Sequence, residues 1–238
     1  MRIIDTIYVN GEFTTPHGRE PLVLVDPATE RETTTVILAD EVDAQRAIAA
    51  AKAALPAFMQ STRAQRMDWL QRLSEAVAAA ETDIVEVMIA EYGGTAAMAL
   101  GTARRAAASF ALARKLLADY PFERELGGAR VVMVPHGVAG MITPWNANIG
   151  FIASKLAMAI ASGSTSVIKP SELSASQTAL LTRVLHGAGL PPGVFNIVTG
   201  RGDTVGAEIT RHPDIAKISF TGSTAVGKAI ARGAVDTM

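Results

Sequence analysis

The 238-residue sequence contains no cysteine. Disulfides, thiolate metal sites and a cysteine nucleophile are therefore excluded within this chain. Excess charge is missing too, since 22 Lys and Arg face 23 Asp and Glu for a formal net charge of −1 at pH 7. That balance leaves no electrostatic footprint for nucleic acid or an anionic membrane surface. The N-terminal stretch MRIIDTIYVNGEF lacks the apolar segment that drives secretion. The most apolar window, 149–168, is interrupted by Gly150, Lys155, Gly163 and several hydroxyl side chains, and reads as a buried helix and strand rather than a membrane span. A soluble, cytoplasmic protein is the expectation. What is present is an ordinary hydrophobic share of 49%, much of it alanine in helical stretches. The length suits one large domain or two small ones.

The first 40 residues read as short strands. IYVNGEF carries an Asn10-Gly11 turn between apolar alternations, a hairpin signal. LVLVDPATE breaks at Asp26-Pro27, where proline ends a ladder. At Asp40 the period changes, and this residue is placed to cap a helix running toward Leu55, with Ala47, Ile48, Ala51 and Leu55 on one side. The spacing of Trp69, Leu73, Val77, Ala80, Ile84 and Val87 predicts one long second helix over 64–90, closed by Gly93-Gly94. A third helix is predicted over 97–117, and Gly127-Gly128 before ARVVMVPHG predicts a hairpin. After Gly137 strands alternate regularly with helices. The fold class implied is α/β, a parallel sheet with helices on both faces. The sequence stops at Met238 inside the last predicted helix, with no capping residue, which reads as the cut edge of a longer chain.

In an open parallel sheet, ligands bind at the carboxyl ends of the strands. Three predicted strand ends carry polar clusters, Thr143-Pro144-Trp145-Asn146, Lys169-Pro170-Ser171-Glu172 and Thr221-Gly222-Ser223-Thr224. In the second cluster, Lys169 and Glu172 offer a cation and a carboxylate able to grip the hydroxyls of an adenosine ribose. The carboxylate repels a 2′-phosphate, which favours NAD over NADP. The competing reading is a solvated loop whose Glu172 starts the next helix. GRGDTVG, residues 200–206, places Gly202 and Gly206 between a strand and a helix, as a phosphate-approach loop or simply as a tight turn. GSTAVG, residues 222–227, opens a helix whose N–H groups attract phosphate, or else Ser223 is an ordinary N-cap. His17, His136, His186 and His212 fall in unrelated segments without ligand spacing and read as structural; no metal site is expected.

With these motifs in order, the sequence resembles the aldehyde dehydrogenase superfamily over its whole length. VNGEF, VDPAT, GVAGMITPWNANIG, SVIKPSELS, LPPGVFNIVTG and ISFTGSTAVGKAI carry the resemblance. It implies a Rossmann-like dinucleotide-binding core over 138–238, preceded by a strand and helix segment over 1–119 and an oligomerisation hairpin over 120–137, with the catalytic domain absent. It implies an NAD cofactor, with NADP as the alternative, an aldehyde substrate and a homo-oligomer. Asn146 would donate its amide to the oxyanion formed when a thiolate attacks the aldehyde, a contribution of ~3 kcal/mol in the transition state. Ile142, Thr143, Pro144 and Trp145 would border the cofactor, and Lys169, Ser171 and Glu172 would take the ribose. Gly222, Ser223 and Gly227 would take the pyrophosphate region, and Gly202, Gly206, Phe220 and Val226 would complete the cofactor-binding set. Lys155 matches a family lysine on the helix after the PWN motif. Two departures stand out. Ala147-Asn148 replaces the Phe-Pro of many members, and the general-base glutamate and nucleophilic cysteine positions lie beyond this sequence. The implied function is NAD-dependent aldehyde oxidation, represented by a truncated portion inactive by itself. The alternatives are a non-catalytic nucleotide-binding or assembly module, or one half of a split enzyme.

Overall fold

A computed structural model describes residues 2–237. The chain opens with β1 (Arg2–Ile4), β2 (Ile7–Val9), β3 (Glu12–Thr14), β4 (Glu20–Val25) and β5 (Glu32–Leu38). Asn10 and Gly11 both take positive φ, 54° and 84°, the two-residue turn whose twist matches the flanking strands. β4 stops at Val25, and the Asp26 carboxylate accepts the N–H groups of Ala28 and Thr29 to turn the chain toward β5.

Helix α1 (Glu41–Met59) starts at the expected cap. Asp40 accepts from the N–H groups of Val42 and Asp43, while the Asp43 carboxylate accepts from Asp40 N–H at 3.2 Å. Asp43 is fully buried and also accepts from His17 and Gly18 N–H, so the cap ties the preceding loop to the helix. The helix runs past Leu55, taking Pro56 into its last turn. The single helix expected over 64–90 is instead two, α2 (Arg63–Ala79) and α3 (Glu81–Tyr92). Ala80 breaks it with φ −89° and ψ 12°, outside the helical well. The apolar stripe stays in phase across the break, because Leu73, Val77, Ile84 and Met88 are all buried. Gly93 ends α3 at φ 71°, donating its N–H to Ile89. There follow α4 (Ala96–Ala118) and a hairpin of β6 (Glu123–Leu126) and β7 (Ala129–Val132), turned by Gly127 and Gly128.

The alternating region comprises β8 (Val138–Ile142), α5 (Asn148–Ser162), β9 (Ser166–Lys169), α6 (Ala175–Gly187), β10 (Phe195–Ile197), α7 (Ala207–Arg211), β11 (Ile215–Phe220) and α8 (Thr224–Ala234). The sheet order is β11-β8-β9-β10-β2-β3, parallel through its first four strands. β2 joins β10 antiparallel, and Asn10 N–H reaches Asn196 Oδ1 at 2.9 Å across 186 residues, so the N-terminal hairpin completes the sheet. β1, β5 and β4 form a separate sheet, and β6–β7 another. Every residue of β8, β9 and β10 is buried, as a parallel sheet covered on both faces requires. The side chains alternate in β8. Ala139 and Met141 pack with Leu70, Phe110, Ile152 and Leu181 of α2, α4, α5 and α6. Val138 faces the other way, with Ile48 of α1 and Ile209 of α7. Gly140 lets α7 close in, since a Cβ there would lie 2.5 Å from Ile209 Cγ2.

Glu91 docks α3 onto the start of α6, its carboxylate accepting the N–H groups of Ser176 at 2.6 Å and Gln177 at 3.0 Å. Burial pushes its pKa above the ordinary 4.5, against the opposing pull of those hydrogen bonds. Glu91→Ala should destabilise the protein by about 1–3 kcal/mol, because two N–H groups of the α6 first turn lose their acceptor. The folded pKa exceeds the unfolded one, so the Glu91 contribution is complete below the unfolded value and declines as pH rises. The gap in urea midpoint between wild type and Glu91→Ala should therefore be wider near pH 4.5 than near neutrality, and the opposite trend would refute this linkage.

Candidate functional site

The carboxyl ends of the parallel strands are laced together just beyond the ladder. Thr143 N–H donates to Lys169 O at 3.1 Å, Thr221 N–H to Ile142 O at 3.1 Å, and Val198 N–H to Ile168 O at 2.9 Å. The loops after β8, β9, β10 and β11 consequently share one edge of the sheet, and all the residue clusters singled out in the sequence stand along it.

At the end of β9, Lys169 is 4% exposed, and its Nζ donates to Glu172 Oε2 at 2.9 Å. Glu172 opens a single 3₁₀ turn capped by Ser171, whose Oγ accepts Leu173 N–H at 3.3 Å. That bond uses Ser171 Oγ as an acceptor and leaves its hydroxyl hydrogen available. Gly202 and Gly206 bound a π-helical turn that leads into α7. A Cβ at Gly202 would meet nothing within 4 Å, so contacts within the chain do not require glycine there. At the end of β11, the Phe220 ring folds back over two glycines. A Cβ at Gly222 would sit 2.5 Å from Phe220 Cζ, and one at Gly227 3.3 Å from its Cε1. Ser223 Oγ accepts Val226 N–H at 3.3 Å and caps α8, a bond that leaves its hydroxyl hydrogen available; Val226 itself is exposed.

The loop after β8 has the most constrained backbone. Ala147 takes φ 50° and ψ 34°, the left-handed region that a side-chain-bearing residue enters only at a cost of about 1–2 kcal/mol. A buried polar relay holds it there. Thr143 Oγ1 donates to Asn148 Oδ1 at 2.6 Å, and Asn148 Nδ2 donates to Thr178 Oγ1 at 2.9 Å. Thr178 Oγ1 in turn donates to the Ser174 carbonyl at 2.8 Å. That carbonyl can only accept, so the direction of every bond in the relay is fixed. Ile142 and Thr143 are buried at the base of this loop and Pro144 is half-buried, whereas the Trp145 indole is 51% exposed, with its ring 5.4 Å from that of Tyr92. Asn146 is partly exposed, and its amide makes no hydrogen bond to another described residue. Sequence reasoning noted Ala147-Asn148 as a departure but missed the relay, because Asn148 and Thr178 lie 30 residues apart with no local signal joining them.

Lys155 of α5 donates to Ser219 of β11 at 2.9 Å, and burial lowers its pKa. It faces a cavity of about 590 Å³ between α4, α5, β11 and the segment after β7, away from the strand-end loops. Two of the histidines are hydrogen-bonded to side chains, His186 with the Tyr8 hydroxyl at 3.0 Å and His17 with Asp40 at 2.7 Å. Among the described residues no cluster of three His, Asp or Glu could hold a metal ion, and no helix is long and apolar enough to cross a membrane.

The sequence profile of the aldehyde dehydrogenase family matches residues 13–238. The chain belongs to the aldehyde dehydrogenase family. This aldehyde dehydrogenase chain is 36% identical to a 3-succinoylsemialdehyde-pyridine dehydrogenase from Pseudomonas sp, an alignment covering 100% of the chain and 50% of that protein. Its fold superimposes on an aldehyde dehydrogenase from Bartonella henselae with a TM-score of 0.96 at 31% identity, covering 100% of this chain and 51% of that one. It also superimposes on aldehyde dehydrogenase C from Pseudomonas syringae, solved as a variant with NAD+ and octanal. There the TM-score is 0.95 at 37% identity, over 98% of this chain and 48% of that one. The aldehyde dehydrogenase chain thus spans about half the length of the curated relatives it matches.

Proposed function

We propose that this chain supplies the dinucleotide-binding half of an NAD-dependent enzyme that oxidises an aldehyde to a carboxylate through a thioester. The Lys169–Glu172 pair, fixed at 2.9 Å on the carboxyl edge, carries the reading. A buried cation and a half-buried carboxylate at that distance offer a donor and an acceptor to the vicinal hydroxyls of a ribose. Glu172 accepts from a free 2′-hydroxyl and repels a 2′-phosphate, which selects NAD over NADP. The start of α8, with the Ser223 hydroxyl beside it, offers N–H donors to a pyrophosphate. NAD+ complexes of the Pseudomonas syringae and Bacillus cereus relatives support the same cofactor here.

Bound NAD would supply the hydride acceptor. The chain's own part in the chemistry is Asn146, whose unengaged amide would donate to the oxyanion as a thiolate adds to the aldehyde carbonyl. Thr143, Asn148 and Thr178 hold that loop, so the donor is positioned before substrate arrives. The sequence has no thiol, so the nucleophile comes from outside these 238 residues. The β6–β7 hairpin, standing apart from both larger sheets with Leu126 and Val132 exposed and Val134 exposed just after it, suits a homo-oligomer contact.

NAD titrated into the purified chain should change the emission of Trp145, the more exposed of two tryptophans. NADH should not form when an aldehyde is added. An unchanged emission with no heat of binding would overturn the cofactor assignment, and steady NADH production by the chain alone would overturn the division of labour.

A further inference from the structure

Beside the Lys169–Glu172 pair stands a second ion pair that the proposed site does not use. Two stretches of backbone carry its members to each other. Glu20 opens β4 opposite Leu38, the last residue of β5. The next residue, Ala39, bridges to Gly200 in parallel and donates its N–H to Thr199 O at 2.9 Å. Arg201 follows Gly200 directly, in the loop after β10, the strand next to β9. The approach requires glycine, since a Cβ on Gly200 would lie 2.5 Å from both Ala39 O and Val205 Cγ2.

Arg201 Nε and Nη2 both donate to Glu20 Oε1, at 2.9 and 2.6 Å, across 181 residues of sequence. Both bonds fall on one carboxylate oxygen, so this is not the two-oxygen fork that makes an arginine–carboxylate pair strong. The side chains are 41% and 52% exposed. A pair of this kind exchanges partners readily. Glu20 holds the guanidinium above its ordinary pKa, and Glu172 and Asp203 add to that effect, which puts Arg201 within electrostatic reach of the ribose carboxylate.

We propose that Glu20 is a specificity-determining residue for the dinucleotide: by occupying Arg201 it withholds a guanidinium that would otherwise pair with a 2′-phosphate. The inference rests on the assignment of Lys169 and Glu172 to the adenosine ribose. Two charges then act together against a 2′-phosphate. Glu172 repels it directly, and Glu20 neutralises the nearby cation suited to bind it. Guanidinium is the side chain whose geometry matches phosphate best.

The test uses 5′-AMP and adenosine 2′,5′-bisphosphate, which probe the adenosine end alone and differ only at the 2′ position. Both are titrated calorimetrically into the 238-residue chain as wild type, Glu20→Gln, Arg201→Gln and the double variant. Glu20→Gln should tighten the bisphosphate on the order of tenfold, the range of one added charge-assisted contact, and leave 5′-AMP within about twofold. The double variant should erase the gain, and salt should weaken it. An unchanged ratio of the two affinities in Glu20→Gln, or a gain that survives Arg201→Gln, overturns the role of Glu20 while the ribose assignment stands. If wild type binds neither nucleotide, the ribose assignment fails and this inference with it.

Discussion

Replacing Asn148 with aspartate should cost about 4 kcal/mol of stability at neutral pH while leaving the shape of the side chain unchanged. Asn148 is fully buried and sits between a donor, Thr143 Oγ1, and an oxygen, Thr178 Oγ1, whose own hydrogen is committed to Ser174. An aspartate could accept from Thr143. Facing Thr178, it must carry a proton or set two acceptors against each other. A dry carboxylate at this depth takes up a proton instead of staying charged. Holding that proton from an ordinary pKa of ~3.9 up to pH 7 costs ~1.4 kcal/mol per unit. The favourable field at the first turn of α5 returns only about 0.3–1 kcal/mol. The folded pKa is raised, so the sign is determined. Asn148→Asp should match wild type near pH 4, and its deficit should grow as pH rises. Urea unfolding at a series of pH values reads this directly, and a deficit independent of pH would show that the relay is not what the aspartate disturbs.

Lys169→Met should weaken NAD binding on the order of 10²–10³-fold. Methionine keeps the apolar stem and removes the charge, and truncating one partner of a buried, hydrogen-bonded pair costs ~2–5 kcal/mol. Stability should suffer less than binding. The Glu172 side chain is 20% exposed and can turn toward water when the ligand is absent, but bound ribose would cover it. The Trp145 titration gives the affinity, and a urea midpoint gives the stability of the same sample. Affinity within about threefold of wild type would reduce Lys169 to a structural partner of Glu172 and move the ribose elsewhere.

What the sequence disclosed about this site follows from how locally each feature is encoded. Asn10-Gly11, Asp40 and Gly93 act within four residues of themselves, and each is legible in the sequence. The strand ends were readable because strand and helix periods alternate from Val138 onward. The break at Ala80 was not. Alanine is the best helix former, and an in-phase apolar stripe passes through it, so neither signal that normally marks a helix end is present. Ser223 was ambiguous for a different reason, since one hydroxyl chemistry serves both a cap and a ligand. The Asn148–Thr178 and Glu20–Arg201 contacts join residues 30 and 181 positions apart, and only tertiary packing brings them together.

The N-terminal hairpin's place in the sheet has a consequence for synthesis. β2 pairs with β10, and Asn10 waits on Asn196 across 186 residues. At ~5–20 residues per second, a ribosome would expose this hairpin roughly 10–40 s before its partner strand exists. The first strands made are therefore among the last to be seated, and throughout that interval the edge of β2 stays open to any other extended chain nearby.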